Sequence, residues 1–291
     1  MANLKEIRTR ITSVEGTMQI TSAMKMVSAS KLKRAQNAIV QMRPFAEKFN
    51  EILSNVSSTL ESTDHALMQN KDVKKVLLVA LVSNRGLCGG FNSAVIKRIK
   101  NVIAENPDIN YAILPVGKKA IDAFKNSNNI SESQHFAEIN PTIWDDLNYQ
   151  KAIPLAESLI GSFVAGEYDQ IKIVYNSFKN AAVQDLKEEQ FLPLVKSGNE
   201  SKSGNIDYIF EPGREEIVVD LIPNSLKIKL YEAMLDSFAS EHGARMTAMH
   251  KATDNAMEMK KELTLFYNKA RQAAITNEIL EIVAGAEALG G

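Results

Sequence analysis

Residues 224–291 contain no proline, and along them core-type residues return at alternating steps of three and four: Leu235, Phe238, His242, Arg245, Met249, Ala252, Ala256, Met259, Leu263, Phe266, Ala270, Ala273, Asn277, Leu280 and Ala284. That spacing is a heptad seam and predicts a single helix. Unbroken, roughly 64 helical residues span about 96 Å at about 1.5 Å per residue. A helix of that length cannot bury its seam alone, so the chain has to supply a partner.

The partner is legible at the other end. Leu4, Ile7, Ile11, Val14, Met18, Thr21, Lys25, Ser28, Leu32, Ala35, Ile39, Met42, Ala46, Phe49, Leu53, Val56 and Leu60 keep the same spacing. Two matching seams predict a coiled coil, and antiparallel pairing needs the least connection at its root. The expected fold is a long antiparallel coiled coil of N- and C-terminal helices, 1–60 and 224–291, with an α/β domain, 73–222, inserted between them. Pro44 is expected to kink the first helix. The first seam turns polar at Thr21, Lys25 and Ser28, which either fixes register or marks a place where something outside the hairpin packs.

Within the insertion, 57–72 is polar and aperiodic and reads as a linker. Residues 76–82 (VLLVALV) form a continuous apolar run, as in strands buried on both faces. A tight loop, 83–90, and a helix, 92–105, follow. Further strands are expected at 111–116 and 171–178, and helices at 118–125 and at 145–164, the latter starting through an acidic turn. Residues 184–194 read as an edge strand, since Pro193 is tolerated only there or at an end. Residues 196–205 should be a surface excursion, 206–210 a short strand and 212–222 a helix, with Pro223 at the start of the long helix. Alternating strands and helices predict a mostly parallel sheet of Rossmann-like layout.

Hydrophobic residues make up 45% of the chain, enough for one sizeable core besides the coil, and the net charge of −1 offers no general attraction to nucleic acid or an acidic membrane. The first 43 residues depart from that balance: Lys5, Arg8, Arg10, Lys25, Lys31, Lys33, Arg34 and Arg43 face only Glu6 and Glu15. This is either a solvated helix face or a surface for an acidic partner. The single cysteine, Cys88, excludes an internal disulfide and fits a reducing compartment. No run approaches the roughly 18 apolar residues that span a bilayer, and no signal-peptide pattern opens the chain. A soluble protein with no direct bilayer insertion is expected.

The loop GLCGG follows a strand and precedes a helix, where nucleotide sites often lie. It matches neither GxGxxG nor GxxxxGK[ST], and no lysine follows its last glycine. The four histidines lack metal spacing, Asp145 and Asp146 are adjacent and read as solvated or capping, and no nucleophile, base and orienter can be assembled. Neither cofactor, metal nor catalytic residue is expected. At the end of the long helix, Leu280, Ile282, Val283, Ala284, Gly285, Ala286, Ala288 and Leu289 put apolar or small groups on nearly every face. A helix apolar all round is normally buried. Here it is either a tip that enters an apolar socket on another protein or a frayed tail.

Several stretches resemble the gamma subunit of F-type ATP synthases: ITNEILEIVAGAEA (275–288), KEIRTRI near the start, SAMKMVSASKLKRAQ (22–36), RGLCGG from Arg85, and ARMTAMHKATDNA and YNKARQAAITNE in the long helix. The resemblance covers both termini and the loop after the first strand. It implies a non-catalytic rotary shaft, whose coil runs along the axis of a ring of three alpha and three beta subunits. The α/β domain would meet the epsilon subunit and the ring of membrane c subunits. Ion-driven rotation would take the catalytic beta sites in turn through binding, ATP formation and release, and hydrolysis would run the cycle backwards.

Residue by residue, the resemblance implies contact with, and coupling to, the catalytic ring at Met24, Arg245, Arg271, Gln272, Thr276 and Glu278. It implies contact with an acidic loop of beta at Lys31, Lys33, Arg34 and the turn at Cys88. An apolar bearing would form at Ile282, Val283, Ala286 and Leu289, and contacts to epsilon and the c ring at Tyr208, Phe210 and Glu211. Lacking a transit peptide and the chloroplast type's cysteine-bearing insertion, the chain resembles a bacterial subunit on the cytoplasmic face of the inner membrane. The competing expectation is an α/β nucleotide-binding enzyme with a coiled-coil oligomerisation arm. A coiled-coil scaffold for nucleic acid would show strongly salt-dependent binding.

Overall fold

The computed structural model describes residues 4–57, 67, 72–131, 133–136, 141–181, 183–194 and 214–290. The expected strand at 206–210 and the residues Tyr208, Phe210 and Glu211 lie outside them. Two compact units result, Ala29–Arg245 and Met1–Ser28 with Met246–Gly291, and the first and last helices contribute to both.

The larger unit is built on a four-stranded sheet of β1 (Lys75–Leu81), β2 (Asn110–Val116), β3 (Gln170–Phe178) and β4 (Gln184–Leu192), in the order β2-β1-β3-β4. β1 runs parallel to both its neighbours, and β4 closes one edge antiparallel to β3. Every β1 residue after Lys75 is buried. The reason is two-sided cover. Leu77, Val79 and Leu81 join a cluster with α4 (Tyr149–Val164) and the start of α5 (Arg214–Leu289), while Val76, Leu78 and Ala80 join another with α2 (Phe91–Glu105) and α3 (Lys118–Phe124). Alternate residues thus serve opposite cores, and each valine and leucine among them contributes about 1.5–3 kcal/mol. β4 (QDLKEEQFL) is polar, apart from Leu186, until its last two residues, as an edge strand permits, and Pro193 falls just past its end.

Two expected boundaries move. The helix expected from 145 begins at Tyr149, because Asn148 caps it: its Oδ1 accepts from the Lys151 N–H at 3.0 Å. Asp145 and Asp146 lie in the turn before it, where Asp146 pairs with Lys151 at 2.9 Å. Pro223 does not start the long helix either. α5 runs from Arg214 to Leu289, 76 residues, with Pro223 inside it. An internal proline costs about 3 kcal/mol, and burial of Ile222, Leu226 and Leu230 against the sheet offsets that loss. Likewise α1 (Leu4–Ser57) passes through Pro44 as one helix.

The smaller unit is a two-helix pair. Glu15 meets Lys260 at 2.9 Å, Thr21 shares a 2.8 Å hydroxyl hydrogen bond with Thr253, and Lys25 lies 3.5 Å from His250. The α5 partner number falls as the α1 number rises, so the pair is antiparallel. All eight α1 seam positions from Leu4 to Ser28 are buried or half-buried. On α5 the seam is corrected by one residue. Ala256, Leu263 and Ala270 are covered as expected, but Lys260, Tyr267 and Ala274 take the places expected of Met259, Phe266 and Ala273, which are exposed. From Ile275 to Ala288 every residue is exposed, including the expected seam residues Asn277, Leu280 and Ala284.

Candidate functional site

In a parallel sheet of this kind, the crevice outside the carboxyl ends of the strands is the usual ligand site. Here α5 occupies it. A Cβ at Gly243 would lie 3.3 Å from the Ala181 backbone and 3.4 Å from the Phe178 ring, and Ala244 is buried with Cys88 and Phe91. Arg245, only 6% exposed, donates to the backbone carbonyls of Arg85 at 3.1 Å and Gly86 at 3.3 Å, and to the Glu241 carboxylate at 2.6 Å. The loop therefore presents carbonyl acceptors to a cation. A phosphate cradle has the opposite polarity, with amide N–H groups facing an anion.

Side chains complete the turn. Ser83 Oγ donates to the Arg85 carbonyl at 2.6 Å, and Asn92 Nδ2 donates to Ser83 Oγ at 2.9 Å and to Cys88 Sγ at 3.2 Å. Between them Leu87 has φ 62, the only positive φ at a non-glycine among the described residues, and is 64% exposed. Burial pushes the Cys88 thiol up from its ordinary pKa. Burial likewise raises the Glu241 carboxyl, with Arg245, Lys31 and Arg85 pulling against it. The buried His242 is driven down to about 3 by desolvation first, then by Arg245 and Lys31. Removing one partner of a buried ion pair such as Arg245–Glu241 typically costs about 3–5 kcal/mol.

The other expected residues lie on the helices. Met24 is half-buried on α1, beside exposed Met26 and Val27. Lys31 is half-buried, Lys33 and Arg34 are exposed, and Cys88 is buried, so the exposed groups at its turn are Arg85 and Leu87. Arg271, Gln272, Thr276 and Glu278 are exposed, Thr276 donating back to the Gln272 carbonyl at 2.9 Å. Ile282, 70% exposed, Val283 and Ala286 lie open at the end of α5, while the Leu289 side chain is outside the described residues. Among the described residues no His, Cys, Asp and Glu cluster fit for a metal occurs, and no helix is long and apolar enough to cross a membrane.

Residues 3–289 match the family model described as ATP synthase. The ATP synthase gamma chain of Flavobacterium johnsoniae is 58% identical over the full length of both chains, and that of Christiangramia forsetii 54% identical, again over both full lengths. This chain belongs to the ATP synthase gamma-chain family. Among solved structures, a chain of the central stalk/c-ring structure of the Tetrahymena thermophila mitochondrial ATP synthase matches with a TM-score of 0.58 at 27% identity, over 80% of this chain and 99% of that one. A chain of the Euglena gracilis mitochondrial ATP synthase in rotational state 3 shares the fold, with a TM-score of 0.68 at 21% identity over 98% of this chain and 94% of that one. Members of the gamma-chain family are subunits of the synthase without catalysis of their own, which fits a domain whose ligand crevice is filled by its own helix.

Three residues of the site escaped sequence reasoning. Glu241 stands four residues before Arg245, a spacing that marks a helical ion pair and offered a usable signal. Leu87 and Gly243 carried none, because an exposed leucine and a helical glycine acquire meaning only from the loop and hairpin beside them.

Proposed function

We propose that this chain is the central rotary shaft of a bacterial F-type ATP synthase, coupling ion-driven rotation of a membrane c ring to ATP synthesis and hydrolysis at catalytic beta subunits. The observation that carries the reading is the two-helix unit of a gamma-family chain, whose α5 continues with every residue exposed from Ile275 to Ala288, beyond its last covered position, Ala274. Two helices have no threefold symmetry. Three chemically identical sites differ only when something asymmetric touches them, and each face of such a pair can favour a different state.

Met24, Arg271, Gln272, Thr276 and Glu278 would contact and couple to the ring, with Arg245 serving the same coupling. Lys31, Lys33, Arg34 and the turn around Cys88 would face an acidic loop of beta. Ile282, Val283, Ala286 and Leu289 would form an apolar bearing, where few directional bonds resist rotation. Tyr208, Phe210 and Glu211 would meet epsilon and the c ring. The bacterial relatives support a place on the cytoplasmic face of the inner membrane, peripheral to the bilayer. The division into 1–60, 73–222 and 224–291 assigns the outer segments to rotation inside the ring and the middle one to the foot.

The test is reconstitution with cognate alpha and beta subunits, following a bead attached to the α/β domain during ATP hydrolysis. Stepwise unidirectional rotation is the expected result. A chain that fails to join the ring, or hydrolysis with no rotation of the bead, would sink the reading.

A further inference from the structure

We infer that Arg245 is a positioning residue: it holds the turn at 85–88 in the shape that presents Leu87 and Arg85 to the catalytic ring, and acts through that turn. The inference rests on the rotary reading above. Its starting point is a backbone outlier. A leucine at positive φ costs about 1–2 kcal/mol relative to the ordinary helical or extended regions, and such strain persists only where the surroundings over-determine it. The two peptide carbonyls immediately before Leu87, those of Arg85 and Gly86, are the ones the guanidinium grips. Ser83 Oγ takes a second hold on the Arg85 carbonyl. Glu241 fixes the third side of the guanidinium at 2.6 Å, and Gly243 lets α5 approach the turn after β3 closely enough for this reach.

With its donors engaged and its side chain 7% exposed, Arg245 has little surface to offer a partner. Leu87 does, at 64%. A planar fork can bridge two adjacent carbonyls and a carboxylate at once, whereas a lysine ammonium at the same place reaches Glu241 but not the full set. The clamp is thus specific to arginine.

Cys88, the sole cysteine, reports on the turn because its thiol is buried inside it. The experiment measures labelling of Cys88 by a neutral maleimide, first on the free chain and then in the reconstituted synthase, alongside ions pumped per ATP. Arg245→Ala is expected to raise the labelling rate at least about tenfold, since each lost hydrogen bond to a charged group is worth more than that factor. Pumping per ATP should fall in Arg245→Ala and in Leu87→Ala, with the double variant no worse than the poorer single one. Arg245→Lys, which keeps the charge beside Glu241, should fall between, and it carries the test if Arg245→Ala fails to fold. Three results would each overturn the proposal: lost coupling with Cys88 as protected as before, losses that add in the double variant, or an opened turn with full coupling. If the chain does not join the ring at all, the rotary reading fails, and labelling of the free chain decides the clamp by itself.

Discussion

His242 shows how one buried group registers its surroundings. Its ring meets Phe238 edge-on at 4.4 Å, and Phe238 stacks on Trp144 at 6.5 Å. Protonation there would put a second cation beside Arg245 without water, so the pKa falls from 6.5 to about 3. A depressed folded-state pKa means stability present above pH 6.5 and lost as pH falls toward about 3, because the unfolded chain takes the proton first. Between pH 7.5 and 5.5 the wild-type chain should therefore lose about 1.4 kcal/mol more stability than His242→Phe. Urea unfolding at the two pH values measures the difference. The carboxyls raised by burial, Glu232, Asp236 and Glu241, push the other way but are common to both chains and cancel. Equal losses would mean that water reaches the imidazole.

On the scale of the element, the α5 register matters most. A heptad admits two phases, and Ala256, Leu263 and Ala270 belong to both. Whether 259 and 266 or 260 and 267 complete the seam depends on which side α1 lies, and it lies over Lys260, where Glu15 receives the ammonium. Lysine is acceptable in a seam because its stem packs while its head reaches the edge. Phe266 is left 51% exposed. Phe266→Ala should accordingly change the unfolding free energy of the chain by less than about 0.5 kcal/mol. Leu263→Ala, at a covered position, should cost about 1–2 kcal/mol, less than the 2–5 of a full core because the position is only half-buried. Thermal unfolding of the two variants separates the phases, and a reversed order would restore the phase expected from spacing.

For the whole molecule, the question is which residues serve the chain and which serve its neighbours. Arg271 is exposed on α5. Its replacement by alanine should leave the free chain's stability within about 0.5 kcal/mol, as for most surface changes. Assembly with the catalytic subunits, or pumping per ATP, should nonetheless drop about tenfold, the loss expected when a residue of a desolvated contact is truncated. Unfolding of the chain alone and pumping by the assembled complex are the two measurements. Parallel losses in both would make Arg271 a coil residue only.

Much of this architecture is legible in the amino-acid order alone. Residues 76–82 announce a strand covered on both faces because two-sided burial leaves no polar position in it. The α1 seam from Leu4 to Ser28 follows from its spacing, and β1, β2 and β3 fall within a residue of their apolar runs, since periodicity records burial locally. Only the tertiary structure decided the phase of α5, the passage of helix through Pro223, and the turning of Arg245 inward onto the loop at 85–86. Each of these depends on a partner far along the chain, on whose side a helix lies or whose carbonyl is in reach, and spacing along one segment carries no record of that.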